Sequence, residues 1–550
     1  MASPLPTFGP ELPFSTADLD ACLKVAQCLA DHPDLILAPW LRRLRKAIVP
    51  LVAKVETMKQ DHIGAKRARG FDSMRRQLLH NARESDRAAS EKCQLAAGRI
   101  AKLQRLCKDQ DVSTAVPLIP DGPVRDDLVR SPMATLTQQL NPTSSERELF
   151  YPRKCYVCQH HFTHLHEFYN QLCPPCAALN YAKRHQTANL HGKTALVTGA
   201  RVKIGFFTAL KLLQAGATVI ATTRFPWDAM ERYQREPQFE QFKDRLHIFG
   251  VDLRDLVHVH CFLDYVASTF TRLDIIIHNA AQTVRRPPQY YKPLIAKELA
   301  LDRSQAIPSP REAQPVLAHH AAFQSKICTS TERWRSRSLQ PQTESSPVGN
   351  AVSHNNRIVY PVTMSSALKS QIPVLASDLT LDLKAFPPGM VDVNGQQLDL
   401  RSTNSWIAQL GEVETPELAE VFTINAMAPA MEGKFNRPKR ANHPHTNKKE
   451  TDSETAFVVA KAALNMMTRT CASDLSRRRI YMNSVDTGWI NDENPLHIAH
   501  KFALQNDFQT PLDEIDAAAR VLDPIFSAMA KPETTPEYGS FLKDYAPTEW

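Results

Sequence analysis

Between Gly192 and Gln282 the sequence leaves little freedom in how it folds. A short apolar run, Thr194 to Val197, is too brief for a helix and leads directly into the turn Thr198-Gly199-Ala200-Arg201-Val202-Lys203-Ile204-Gly205. Helical spacing then begins at Ile204, with Leu210, Leu212 and Leu213 recurring on one side, and a second apolar run, Thr218 to Ala221, follows Gly216. Strand, glycine-bearing turn, helix and strand make a βαβ unit with a right-handed crossover. The turn meets a helix N-terminus, where unpaired backbone N–H groups and the helix dipole favour a pyrophosphate.

One glycine-bearing turn is weak on its own, because many loops use glycine only for its backbone freedom. Here Asp252-Leu253 follows a third apolar run, His247 to Val251, and Asn279-Ala280-Ala281 follows a fourth, Ile275 to Ile277. This ordered set resembles the short-chain dehydrogenase/reductase family, with its TGxxxGxG turn, its DL pair after the third strand and its NNAG after the fourth. The resemblance covers roughly 190–290 and, after a gap, 415–495. It implies a Rossmann-like, doubly wound parallel α/β sheet that binds a nicotinamide dinucleotide. Thr198, Gly199, Arg201, Lys203, Ile204 and Gly205 then surround the pyrophosphate, with Lys203 standing where the family has its second glycine. The family also implies that Asp252 contacts the adenine ring, and that Leu253, Asn279 and Ala280 are further cofactor-binding residues. The second strand ends in Arg224 rather than in an acid; a cation there favours a 2′-phosphate, so NADP(H) is expected ahead of NAD.

Farther on, the resemblance becomes uneven. Val421, Phe422 and Ile424 flank Asn425 on a helical stretch, Pro416 to Met427, similar to the one carrying the family's relay asparagine. The family next supplies a strand ending in Ser and a Tyr-x-x-x-Lys helix, in which Lys lowers the phenol's pKa and holds the nicotinamide ribose. Lys461, in Ala460-Lys-Ala-Ala-Leu464, matches that helix, but Phe457 occupies the Tyr position. Upstream, Ala428 to Gly433 passes into a loop with no β-rich run and no Ser, so the pattern predicts that the fifth strand is missing. Removing the charged stretch Lys448 to Val458 brings Thr446 four positions before Lys461. Thr446 is then a poor stand-in for Tyr, because its hydroxyl holds its proton too tightly. An irregular transcript accounts for both oddities, and a natural pseudoenzyme is the rival explanation. Ser365 and Ser366 are available but have no strand context. Thr487 and Gly488, in Asp486-Thr-Gly-Trp-Ile490, resemble the family's nicotinamide-facing turn.

Ahead of this unit lies Cys155-x-x-Cys158, followed after fourteen residues by Cys173-x-x-Cys176. Two such pairs suit four thiolates on one tetrahedral zinc, and a closed four-cysteine site is structural rather than catalytic. His160, His161, His164 and His166 lie between the pairs as competing ligands. Residues 1–110 read as a helical region with basic, solvated faces, 111–147 as a linker and 148–185 as the zinc module. The nucleotide-binding half covers 190–290, a largely disordered insertion 291–400, and the second half with a helical tail broken or kinked at Pro524 covers 401–550.

The chain has 550 residues and a net charge of +8, too modest to imply nucleic acid. No run of about eighteen apolar residues predicts a membrane span, and the N-terminus lacks a secretory pattern. Eleven cysteines without such a signal read as thiols or metal ligands in a cytoplasmic protein. The expectation is an oxidoreductase moving hydride between NADP(H) and an alcohol or carbonyl substrate, with helix faces suited to oligomerisation. The alternative is a catalytically silent scaffold or nucleotide sensor that binds a protein partner through its zinc module.

Overall fold

The computed structural model describes residues 16–32, 38, parts of 41–48, 79–109, 147–303, 315–327, 364–380, 384–392, 394–409, 411–434, 442–447, 455–490 and 509–549. For 442–447 and 455–458 the description is of the backbone. Two compact units emerge, one of residues 1–98 with 119–177 and one of 99–118 with 178–550. The predicted helices between 35 and 78 fall mostly, and the linker 111–146 wholly, outside the described residues.

In the first unit, strands β1 (Glu148–Lys154) and β2 (His161–His164) form an antiparallel pair. The Asp86 carboxylate accepts from the amides of Phe150 (2.5 Å) and Tyr151 (2.9 Å), which ties the preceding helical stretch to β1.

The second unit is built on an eight-stranded sheet. Its strands are β3 (Thr194–Thr198), β4 (Thr218–Thr223), β5 (Leu246–Gly250), β6 (Ile275–Ile277), β7 (Asn442–Asn447), β8 (Tyr481–Asp486), β9 (Phe541–Lys543) and β10 (Ala546–Thr548). Their order is β10-β9-β8-β7-β6-β3-β4-β5, parallel except for β10. This is the expected Rossmann-like sheet. Every residue of β3 is buried, as a strand covered on both faces requires. On one face, helices Lys203–Gln214 and Glu514–Ala530 share a core through Leu210, Leu213, Val521 and Ile525. On the other, helix Leu256–Thr269 packs Val259, Phe262 and Leu263 against Leu196 and Ile276. The chain reverses direction across the sheet between β3 and β6, and a crevice opens beyond their carboxyl ends, where ligands bind in such sheets.

One sequence expectation is corrected and two others are narrowed. A strand does fill the fifth position: Asn442–Asn447 lies between β6 and β8, in register with β8 from Asn442↔Tyr481 to Asn447↔Asp486. Its sequence, Asn-His-Pro-His-Thr-Asn, has no apolar run and contains a proline that cannot donate to a ladder, so it carries no strand signature. The open slot in the parallel sheet, rather than local propensity, makes it a strand. Of the break or kink expected at Pro524, the break is absent: the tail helix Glu514–Ala530 continues through it. The Asp513 carboxylate caps it by accepting from the Ile515 and Asp516 amides, and buried residues on both sides of the proline hold it. Parts of 291–400 are regular as well. Helix Pro288–Arg303 and residues 315–327 are helical, and Val316, Leu317, Phe323 and Ile327 are buried in the two cores beside the edge strand β5.

Candidate functional site

Local backbone chemistry shapes the crevice. Gly199 adopts φ +68°, and Gly205 is so close to it that an added Cβ would lie 2.3 Å from the Gly199 carbonyl oxygen and 2.4 Å from Asn279 Nδ2. Lys203 has φ +54°, the left-handed conformation that explains why a glycine is usual at this place. The helix starting there has no side-chain cap on its N-terminus. Val202, its N-cap residue, offers the helix's first amides no side-chain acceptor. Asn279 joins the two turns: Nδ2 donates to the carbonyls of Thr198 (3.0 Å) and Gly199 (3.3 Å), and the amides of Asn279 and Ala280 donate to Thr198 Oγ1 (both 3.1 Å).

A cleft of about 530 Å³ is lined by Gly199, Arg201, Lys203, Ile204 and Gly205, by Arg224, Asp252 and Leu253, by Asn279 and Ala280, and by Lys461, Thr487 and Gly488. The structure thus brings together all the proposed cofactor residues except Thr198, which lies behind the turn as the acceptor just described. Asn425 is buried on a π-helical turn, Thr423–Met427, between two α-helices. Its side chain accepts from the Gln282 amide (2.7 Å) and donates to the Gln282 carbonyl (3.1 Å), so it fixes the loop after β6. Thr446 is not on the helix of Lys461. It lies near the carboxyl end of β7, opposite Val485, while Phe457 and Lys461 share helix Thr455–Arg477. Placing Thr446 before Lys461 required deleting 448–458; with that segment present, Thr446 completes a strand instead.

Charges around the cleft are mostly balanced in pairs. Arg201 donates to Asp228 (2.7 Å) and to Gln396 (3.2 Å). Burial alone would raise the Asp228 pKa, but the Arg201 and Arg232 guanidiniums and Lys297 outweigh it and hold the acid well below its usual range. Asp252 is fully buried, and Arg254 lowers its pKa against the effect of burial through contacts of 2.7 to 3.1 Å. Arg286 pairs with Asp399 at 2.7 Å. Arg224 is different: among the described residues it makes no ion pair. Its guanidinium donates to the Tyr291 hydroxyl (2.7 Å) and lies 4.5 Å from the Tyr291 ring centroid and 5.4 Å from that of Phe225.

Sequence reasoning missed the residues that 284–406 brings to this cleft: Arg286, Tyr290, Tyr291, Gln396, Asp399 and Trp406. One signal was present. Asn394-Gly395 is a hairpin-turn dipeptide, and here Gly395 has φ +66° within a turn closed by Asp392 and Gln396, beside a bridge between Val391 and Gln397. Arg232 grips that turn by donating to the Asn394 carbonyl (3.0 Å) and the Gly395 carbonyl (3.2 Å).

In the other unit, the ligand atoms of Cys155, Cys158, Cys173 and Cys176 lie within 4.8 Å of one another. A tetrahedral zinc with bonds of about 2.3 Å needs sulfurs about 3.8 Å apart, so the donor set fits. The turn after β1 supplies the first pair, closed by Gln159 donating its amide to the Cys155 carbonyl (3.0 Å). The second pair starts helix Pro174–His185, and the Cys173 amide donates to Cys155 Sγ (3.3 Å). Among the described residues the cluster holds the four cysteines and none of the four histidines.

Residues 193–294 match the family model described as short chain dehydrogenase. An uncharacterised protein of Acanthamoeba polyphaga mimivirus is 28% identical over 414 residues, covering 68% of this chain and 71% of that protein. An overlap of that length reaches well into 291–400. Dehydrogenase/reductase SDR family member 13 of Homo sapiens is 35% identical over 114 residues, 20% of this chain and 28% of that protein. Among solved structures, a short chain dehydrogenase from Burkholderia cenocepacia in complex with NADP aligns at 17% identity and a TM-score of 0.36, covering 64% of this chain and 97% of that one. No helix among the described residues is long and apolar enough to cross a membrane. The sheet order, the two linked turns and the family match all fall on the same segment, so residues 193–294 are similar to the short-chain dehydrogenase family.

Proposed function

We propose that the cleft binds NADP(H) and that the chain is an oxidoreductase for an alcohol or carbonyl substrate. The observation that carries the cofactor is Arg224: at the end of β4, a guanidinium that makes no direct ion pair among the described residues, and meets Asp252 only at longer range, faces a cleft whose other lining arginines, Arg201 and Arg286, are paired. A phosphate monoester is the anion that suits a stacked, forked donor of this kind. The uncapped helix at Lys203 suits the pyrophosphate, and Lys461, Thr487 and Gly488 suit the nicotinamide half.

The bound cofactor supplies the hydride; the chain's residues orient the dinucleotide and the substrate. Lys461 holds the nicotinamide ribose. Asn425 acts indirectly, by fixing the Gln282 loop against the cleft. Phe457, one helical turn before Lys461, has no proton to give, which supports the second reading of a nucleotide-binding protein with little turnover of its own. Titration of the purified chain with NADPH and NADH by calorimetry tests the first reading; micromolar NADPH binding is expected, and no binding by the folded chain would overturn it. NADPH oxidation with a panel of aldehydes and ketones separates enzyme from sensor. If proton delivery is what the chain lacks, Phe457→Tyr raises turnover by about 10²-fold or more, the usual scale of a placed general acid.

The four cysteines are proposed to hold a structural zinc that joins the β1–β2 turn to the start of helix Pro174–His185. With all four donors from protein, the metal contributes to folding and leaves no open position for substrate.

A further inference from the structure

The unpaired Arg224 is held in place from a direction the strand itself does not supply. Its guanidinium meets Tyr291, on helix Pro288–Arg303, through both the hydroxyl and the ring face. Its carbonyl accepts from Ser366 Oγ at 2.8 Å, and Ser366 is buried at the start of the short helix Ser366–Lys369. Both helices pack on Phe225, the residue after Arg224, through Ile295, Leu294 and Ala367. The close approach of Ser366 also depends on Gly250 at the end of β5, where an added Cβ would come within 2.6 Å of Ser366 Oγ.

We propose that Tyr291 and Ser366 are positioning residues that preset Arg224 as a clamp for the ribose 2′-phosphate, so that preference for NADPH over NADH is set by the 291–400 segment. This rests on the NADP(H) reading above. Three features support it. Phe225 carries two guanidiniums at equal distance, Arg201 and Arg224, each 5.4 Å from its ring centroid. Arg201 is ion-paired with Asp228 and held by Gln396, so its donors are already engaged within the protein. Arg224 is oriented by the Tyr291 hydroxyl instead, which fixes one of its five donors, restricts its rotamers and leaves its other donors without a direct carboxylate partner among the described residues, Asp252 acting on it only at longer range. A guanidinium ordered before binding loses less freedom when the anion arrives, and that gain applies only to the cofactor bearing the extra phosphate.

The test measures Kd for NADPH and NADH by calorimetry on the full chain and on four variants, with thermal melts to confirm folding. Arg224→Ala is expected to bring NADPH affinity down to that for NADH. Tyr291→Ala should weaken NADPH about tenfold and leave NADH unchanged. Tyr291→Phe, which keeps the ring packed on Phe225, should lose a smaller part of the same preference, and Ser366→Ala should do likewise. If Arg224→Ala removes the preference while both Tyr291 variants keep it, the positioning role is wrong and the cofactor reading stands. If Tyr291→Phe weakens both cofactors equally, Tyr291 is only structural and the proposal falls. If Arg224→Ala changes neither affinity, or the chain binds neither cofactor, the NADP(H) reading fails and takes this proposal with it.

Discussion

Gly205 and Lys203 show how tightly single residues are constrained at the nucleotide turn. A methyl at Gly205 would press into the Gly199 carbonyl and the Asn279 amide, both parts of the site's own frame. Gly205→Ala should therefore cost about 1–3 kcal/mol and weaken NADPH binding; chemical denaturation and calorimetry measure the two effects. Lys203 tolerates its left-handed backbone because its side chain is unbranched near the main chain. A β-branched residue would not, so Lys203→Val is expected to cost about 1–2 kcal/mol in the same denaturation experiment. Both effects come from backbone geometry. The identity of Gly205 was visible in the motif, while the strain at Lys203 was not, because a motif records only that glycine is usual there.

Elements were legible in the sequence where local signals and the tertiary structure agreed. Runs such as Ile275 to Ile277 are apolar because both faces of a parallel strand are buried, and the βαβ unit could be predicted from them. Strand β7 could not, since Asn-His-Pro-His-Thr-Asn has no apolar run and only one strand-favouring residue, Thr446, so its neighbours specify it. The clustering of polar residues from 284 to 406 around the cleft was also hidden, because buried ion pairs such as Arg285 with Asp378 and Glu420 join positions far apart in sequence. The cysteine module is the opposite case, legible from spacing alone. Stripping metal from the full chain with a strong chelator should release about one zinc per chain and open 148–176 to proteolysis, because structural zinc contributes about 10 kcal/mol or more to such modules. Equal protease resistance with and without metal would refute the site.

Taken whole, the second unit buries titratable groups whose charging opposes the fold. Burial and the nearby Lys369 ammonium lower the His258 pKa to about 3, and burial with His319 lowers that of His247 to about 4. Both histidines ionise near 6.5 in the unfolded chain, so the unfolded state takes up more protons as pH falls, and stability drops from about pH 6.5 towards pH 4. Glu298 acts in the opposite sense. Burial raises its pKa to about 7 while it accepts from the Asp228 and Trp227 amides, so ionising it costs stability as pH rises from about 4.5 to 7. Burial lowers the His320 pKa to about 4 as well, and the ion-paired Asp228 and Asp252 are held below the usual carboxylate range, so the acid-sensitive groups outweigh Glu298 and the melting temperature should fall on acidification below pH 6.5. Glu298→Gln should steepen that fall, and thermal melts across pH 4 to 8 read both signs.

The sheet also has a seam. Strands β5-β4-β3-β6 form one ribbon and β7-β8-β9-β10 another, with Ile275↔Asn442 as the paired position across the join. Arg224 and the glycine turn belong to the first ribbon, whereas Lys461 and Thr487 belong to the second. A dinucleotide bound along the cleft as proposed would work as a clasp as well as a reactant, resisting any force that parts the ribbons. Pulled from its two ends in an optical trap, the chain should need a distinctly higher load to open at this join with NADPH bound than when empty.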